Sequence, residues 1–187
     1  MAITQQHLTL DEFLRLPERK PALEYEDGVV TQKVAPKPRH SGLQGALVER
    51  INRYAQPRKL ARAFPELRTT FAGLSRVPDV AVYRWERIPT DESGDLAADA
   101  FEPPDIIIEI VSPSQSVNSL IRRCLWFVAH GVRLALLVDP ADRSIIAFRP
   151  EGRTSALRDQ DVVDLSDVVP GLQLVVAEIF TALRARD

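Results

Sequence analysis

The stretch Asp105-Ile-Ile-Ile-Glu-Ile-Val-Ser-Pro-Ser114 restricts what this chain can fold into more than any other. Five branched aliphatic residues in six positions, approached through Pro103-Pro104 and left through Ser112-Pro113, describe a short strand covered on both faces and therefore central in a sheet. Glu109 stands in the middle of it. A carboxylate among branched aliphatics loses its water shell and has to be paired, protonated or bound to a cation. A second apolar strand, in Arg76-Val-Pro-Asp-Val-Ala-Val-Tyr83, carries one acid near its start, Asp79. Two acids on adjacent strands can make a divalent-metal site. The plainer alternative is that Asp79 is a turn acid ahead of its strand and Glu109 one half of a buried ion pair.

The elements around this strand follow from local signals. Thr9-Leu-Asp-Glu12 is a capping box ahead of Phe13, so a short helix is expected there, closed by Pro17. Leu23 to Val30 reads as a hairpin turning at Asp27-Gly28, with Glu24 and Glu26 on one face. Ser41 is expected to cap a helix whose stripe is Leu43, Leu47, Ile51 and Tyr54, ending before Pro57. Ala63 to Phe71 and Val77 to Tyr83 are expected strands joined through Ala72-Gly73. The polar stretch from Arg84 to Pro104 is a long loop, of the kind that is usually functional or mobile.

Beyond the central strand, Ser116 to His130 predicts an unusually apolar helix closed by Gly131, with Arg122 and Arg123 on its narrow polar face. Val132 to Val138 is another apolar strand, and Ser144 to Phe148 pairs back on it. Strand, helix, strand implies a right-handed parallel crossover. Short edge strands from Val162 to Val176 and a final helix over Ala177 to Leu183 close the chain.

Composition narrows the function classes. With 187 residues, 45% of them hydrophobic and 27% charged, the chain fits a single domain with a core that needs no staples. A formal charge of -2 and a pI near 6.0 leave no global basic footprint, so any nucleic-acid contact must be local. Arg58, Lys59 and Arg62, with Arg122 and Arg123, are the candidates for touching a nucleic-acid backbone. The lone Cys124 excludes an intrachain disulfide and suits a reducing, cytoplasmic setting, with its thiol in the core. No apolar run approaches a membrane span of about 20 residues. No glycine-rich phosphate loop, Ser/His/Asp arrangement or zinc spacing is present, which disfavours nucleotide hydrolysis and acyl transfer. His7 and His130 read as incidental. His40, ahead of an expected helix start, would meet a phosphate or hydrogen-bond its own loop.

Helix, three antiparallel strands, helix, parallel strand, with acids on the second and third strands, is the core order of the restriction-endonuclease-like PD-(D/E)xK fold. Within it the chain resembles the Uma family of bacterial restriction endonucleases, from about Leu8 to Phe180. The resemblance is carried by Glu24-Tyr-Glu-Asp-Gly28, Pro38-Arg-His40, Arg76-Val-Pro-Asp79, Glu109-Ile-Val-Ser-Pro-Ser114, Ala129-His-Gly-Val132, Val138-Asp-Pro140 and Pro170-Gly-Leu172. It implies an α/β domain that hydrolyses DNA phosphodiesters, with Mg²⁺ or Mn²⁺ held by Asp79, Glu109 and the carbonyl of Ile110, and with Glu24 completing the shell. The motif's lysine should stand two residues after Glu109, where this chain has Val111. In the family it has moved to the following helix, eight residues before the closing glycine, and that position here is Arg123. Arginine keeps the charge and can clamp a phosphate but cannot serve as a base. The resemblance therefore leaves open a weakened or inactive relative that binds nucleic acid or a protein. The apolar helix also suggests a homodimer, which two-strand cleavage would use.

Overall fold

The computed structural model describes residues 8–113 and 115–184, so that His7 and Ser114 lie outside the described residues. In chain order the elements are α1 (Leu10–Leu14), β1 (Leu23–Glu26), β2 (Val29–Gln32), α2 (Pro38–Ala55), β3 (Ala61–Pro65), β4 (Thr69–Phe71), β5 (Leu74–Arg76), β6 (Val80–Arg84), β7 (Ile106–Ile110), α3 (Val117–Ala129), β8 (Leu134–Asp139), β9 (Ser144–Phe148), β10 (Thr154–Arg158), β11 (Val162–Asp164), β12 (Gln173–Val175) and α4 (Val176–Ile179). A six-stranded sheet runs β10-β9-β8-β7-β6-β3. All its pairs are antiparallel except β7 with β8, which α3 connects. The fold is a mixed α/β sheet flanked by helices.

Alternation along β7 divides the core. Ile106, Ile108 and Ile110 face α2, packing with Leu43, Leu47 and Ile51, with Val80 and Val82 of β6, and with the C-terminal segment. Ile107 faces α3, against Leu120, Cys124 and Phe127. All five residues of β7 are buried, as a strand sandwiched between helical layers requires. Cys124 is fully buried here and burial raises its thiol pKa, which makes it inert packing rather than a nucleophile.

Three local expectations needed revision. The helix expected to be capped by Ser41 is instead preceded by Lys37 and starts at Pro38, because proline at the first helical position already has helical φ and gives up an amide that no helix would use. His40 consequently lies inside the first turn rather than ahead of it. The strand expected from Ala63 to Phe71 breaks at Glu66, whose φ is 46°, and its two pieces enter different sheets. Thr69–Phe71 pairs with Leu74–Arg76 across the Ala72-Gly73 turn, and that hairpin joins β1 and β2 in a second sheet ordered β2-β1-β5-β4. Finally, β10 is an exposed edge strand of mostly polar residues, so no hydrophobic alternation announced it.

Other features match their signals. The Thr9–Glu12 capping box is made in full. Asp27 and Gly28 both have positive φ, 46° and 85°, the geometry of a type I′ turn. Ser116 caps α3 by accepting from the Ser119 amide. The loop after β6 is packed: Ala100 is buried and bridges Thr69 of β4, and Asp91 accepts hydrogen bonds from Ser93 and Asp95. Among the described residues no helix is long and apolar enough to cross a membrane.

Candidate active site

Beta-strand register decides which acids meet. Val80 pairs with Ile108 in the antiparallel β6–β7 ladder, and continuing one residue sets Asp79 opposite Glu109. The ladder's end is stitched by the Asp79 side chain itself, whose Oδ2 accepts the Ile110 amide at 2.8 Å. Glu24 arrives from the other sheet, where its Oε1 accepts the Val77 amide at 2.7 Å. Three carboxylates from three distant segments thus surround one spot at the edge where the two sheets adjoin.

Three side chains carry the compensating donors. Arg123, on the α3 face towards the sheet, donates from Nε to Glu109 Oε1 at 2.6 Å and from Nη1 and Nη2 to the two Glu24 oxygens at 2.7 and 2.6 Å. Lys33, just past β2, places Nζ 2.7 Å from Asp79 Oδ1 and 2.8 Å from the Val77 carbonyl. His40 puts Nε2 2.9 Å from Asp79 Oδ2, and its Nδ1 is buried without a partner among the described residues. Gln44, one turn further along α2, donates to the Asp79 carbonyl. Asp79 and Glu109 are only 3% and 2% exposed, so these contacts act in a medium where unpaired charge is not tolerated.

The environment pushes the two neighbouring acids apart. Burial drives the Glu109 carboxyl up to about 7, with the adjacent Asp79 and Glu24 charges adding to it against the pull of Arg123 and Lys33. At Asp79 burial acts in the same upward direction but is outweighed by the His40 hydrogen bond and the Lys33 charge, which hold it at about 2. Burial likewise opposes ionisation of Glu24, Lys33 and Arg123. Their partners win: Glu24 is lowered, while Lys33 and Arg123 are raised. Neighbouring carboxyls split in this way are a common mark of functional sites.

This split sets the acid stability of the ion-free protein. Asp79 has a depressed folded-state pKa, so its contribution is complete above its ordinary value of 3.8 and disappears as pH falls through about 2. Glu109 has a raised one, so its contribution is present below its ordinary 4.5 and is lost as pH rises through about 7. In EDTA, the stability advantage of wild type over Asp79→Asn should shrink by about 2 kcal/mol between pH 5 and pH 2. Urea unfolding followed by circular dichroism at the two pH values reads this directly.

The sequence-derived residues divide spatially. Glu24, His40, Asp79, Glu109, Ile110 and Arg123 come together. Arg58 and Lys59 lie past the C-terminal end of α2, about 27 Å along that helix from the His40 end. Arg58 is held over the Tyr54 ring, and Arg62 sits on β3 over Phe64. Arg122 is exposed beside Arg123. A groove running up to Val77 carries Arg19, Lys20 and Arg68 on its walls, offset by Glu18, Glu66 and Asp99, so it is no basic channel.

Lys33 and Gln44 were missed by reading the sequence. A signal for Lys33 existed: Glu24 pairs with Thr31, and a period of two places Lys33 on that same face of the hairpin. Gln44 looked like an ordinary polar position on the helix, and only the docking of α2 gives it a partner.

Comparison with known proteins bears on the family and the fold. No curated protein matches the chain. A crystal structure titled a "putative nuclease belonging to DUF820" from Anabaena variabilis ATCC 29413 is 38% identical, with a TM-score of 0.90 over 95% of this chain and 99% of that one. A cryoEM structure of a DrdV–DNA complex aligns at 12% identity over 80% of this chain and 14% of the other, with a TM-score of 0.34, too low to inform the site. The profile of the family described as "Putative restriction endonuclease" matches residues 10–177, and the chain belongs to that family, Uma2.

Proposed function

We propose that this protein is an endonuclease that hydrolyses DNA phosphodiester bonds with the help of Mg²⁺ or Mn²⁺. The observation that carries the reading is the convergence of Glu24, Asp79 and Glu109 from three segments on one nearly buried spot, with opposed pKa shifts on the two neighbouring acids. Membership of a nuclease family supports it.

The donor set suits a hard cation, being carboxylate oxygens of Asp79 and Glu109 with the Ile110 carbonyl alongside. No group of three or more His, Cys, Asp or Glu is gathered tightly enough to hold a metal among the described residues. Glu24 is turned onto Arg123 and the Val77 amide, so it would be the third ligand only after releasing that guanidinium. A bound ion would supply an activated water and a positive charge beside the phosphate. The chain's own residues bring the acids into register, exclude bulk water and hold Asp79 ionised. In the reaction water oxygen bonds to phosphorus, the bond from phosphorus to the leaving ester oxygen breaks, and that oxygen takes a proton.

DNA is the partner this reading expects. The candidates for backbone contact are His40 beside Asp79 and the exposed Arg122 on α3, with Arg58, Lys59 and Arg62 as an outlying patch. A homodimer belongs to the same reading: Val117 and Leu125 leave apolar surface on α3, 39% and 46% exposed. A second reading, a nuclease-fold binding or assembly module without turnover, is favoured by one observation. Each of the three carboxylates already has a protein cation against it.

Plasmid cleavage separates the two. Nicking or linearisation in Mn²⁺ that EDTA abolishes is the expected result. If folded protein leaves DNA and RNA intact and calorimetry detects no Mn²⁺ binding, the endonuclease reading fails and the binding-module reading stands.

A further inference from the structure

Arg123 occupies the chain position to which the lysine of the resemblance has moved, yet its guanidinium is committed. Three of its donors are spent on Glu109 and Glu24, and it is sandwiched further by packing against the Phe127 ring, 5.6 Å from the ring centre. A fork holding two carboxylates in place positions the acids; to reach a phosphate it would have to release one of them, leaving a buried charge unpaired. An ammonium stands at the same acids from another direction. Lys33 Nζ lies 2.7 Å from Asp79 Oδ1, with its stem nearly buried. Its backbone is pinned because the Lys33 amide donates to the Ala22 carbonyl at 2.9 Å. Among the described residues its hydrogen bonds go to Asp79 and the Val77 carbonyl, so one of its three N–H groups has no protein acceptor.

We propose that Lys33 is the catalytic lysine of this site, contacting a non-bridging oxygen of the scissile phosphate, and that Arg123 is a positioning residue for Glu24 and Glu109. The proposal rests on the endonuclease reading given above. An ammonium is a compact point charge on a flexible stem and can follow the phosphate as charge builds on its oxygens, which a guanidinium clamped between two carboxylates cannot. The lysine missing at Val111 and at Arg123 is therefore supplied by the hairpin that also carries Glu24. Because Lys33 and Glu24 arrive on the hairpin of the four-stranded sheet, and Asp79 and Glu109 with β6 and β7 of the six-stranded one, the site is complete only when the two sheets adjoin.

The test compares wild type, Lys33→Met and Lys33→Arg in three assays: plasmid cleavage in Mn²⁺, calorimetric binding of Mn²⁺ alone, and thermal unfolding. Methionine keeps the length and apolar stem of lysine without its charge, so the variant is expected to fold. Lys33→Met should lower the cleavage rate about 10²-fold or more, and Lys33→Arg should recover part of the loss. Mn²⁺ should bind Lys33→Met as tightly as wild type or more tightly, since a cation competing for Asp79 is gone. A merely structural lysine would give the opposite pattern, with Mn²⁺ binding weakened alongside activity, and that result overturns the proposal. It is equally overturned if Lys33→Met cleaves within threefold of wild type while wild type is active. Should wild type itself fail to cleave, the endonuclease reading falls first and this proposal falls with it.

Discussion

Asp79→Ala is expected to lower Mn²⁺-dependent plasmid cleavage on the order of 10³-fold, the upper range for removing a preorganised electrostatic group from a water-excluded site. Asp79 gathers more of the site than any other side chain. Its Oδ2 takes the Ile110 amide and faces His40, its Oδ1 holds Lys33, and it stands opposite Glu109. The alanine variant would also leave the buried Lys33 ammonium with only a carbonyl partner, so some stability is lost too. Asp79→Asn separates the effects, because an amide of the same shape can still accept the Ile110 hydrogen bond. Both variants should lose cleavage, and the asparagine variant should retain more of its melting temperature. Cleavage by folded Asp79→Asn at a rate near wild type would remove Asp79 from the machinery.

The second large effect is structural and falls on Asp105, at the other end of the same central strand. Asp105 is fully buried; its Oδ2 accepts the Arg84 amide at 2.9 Å and its Oδ1 the Arg87 guanidinium at 2.6 Å, with Arg133 3.5 Å away. Asp105→Ala should destabilise the protein by about 3 kcal/mol, near the low end for breaking a buried ion pair, since the arginines are partly exposed and can rehydrate. Urea unfolding measures it. Activity per folded molecule should stay close to wild type, because none of these partners touches Glu24, Asp79 or Glu109. Two buried acids four residues apart, one just ahead of β7 and one within it, thus differ in kind. Asp105 is held by a ring of arginines and a backbone amide, whereas Glu109 shares the Arg123 guanidinium with Glu24 and stands opposite a second acid, Asp79.

How much of this was legible in the chain depended on the range of the signal. The β7 strand, the apolar α3 helix, the parallel return through β8 and the two acids on neighbouring strands were all readable, because each rests on periodicity or turn chemistry within a dozen residues. The start of α2 was misplaced by four residues, Ser41 being a plausible cap by itself, whereas the helix begins after Lys37 with no side-chain cap and with Pro38 fixing φ at its first position. The break at Glu66 had a local sign in Pro65, which cannot donate to a ladder, but nothing nearby in the chain reveals that the two halves join different sheets.

What the sequence determined by itself was the inventory and its local order: a central strand holding an uncompensated carboxylate, a second acid at the start of its neighbour, a capped crossover helix bearing an arginine, and a hairpin with a third acid. These follow from short-range rules of pleat, helix period and turn geometry that act before distant segments meet. Tertiary structure alone decided who neutralises whom. Arg123 is 99 residues from Glu24 along the chain and Lys33 is 46 from Asp79, and no local pattern ties either pair. Those partnerships arise only when two sheets and two helices close over the acids, removing the water that would otherwise have solvated each charge separately and leaving every carboxylate to find a cation within reach.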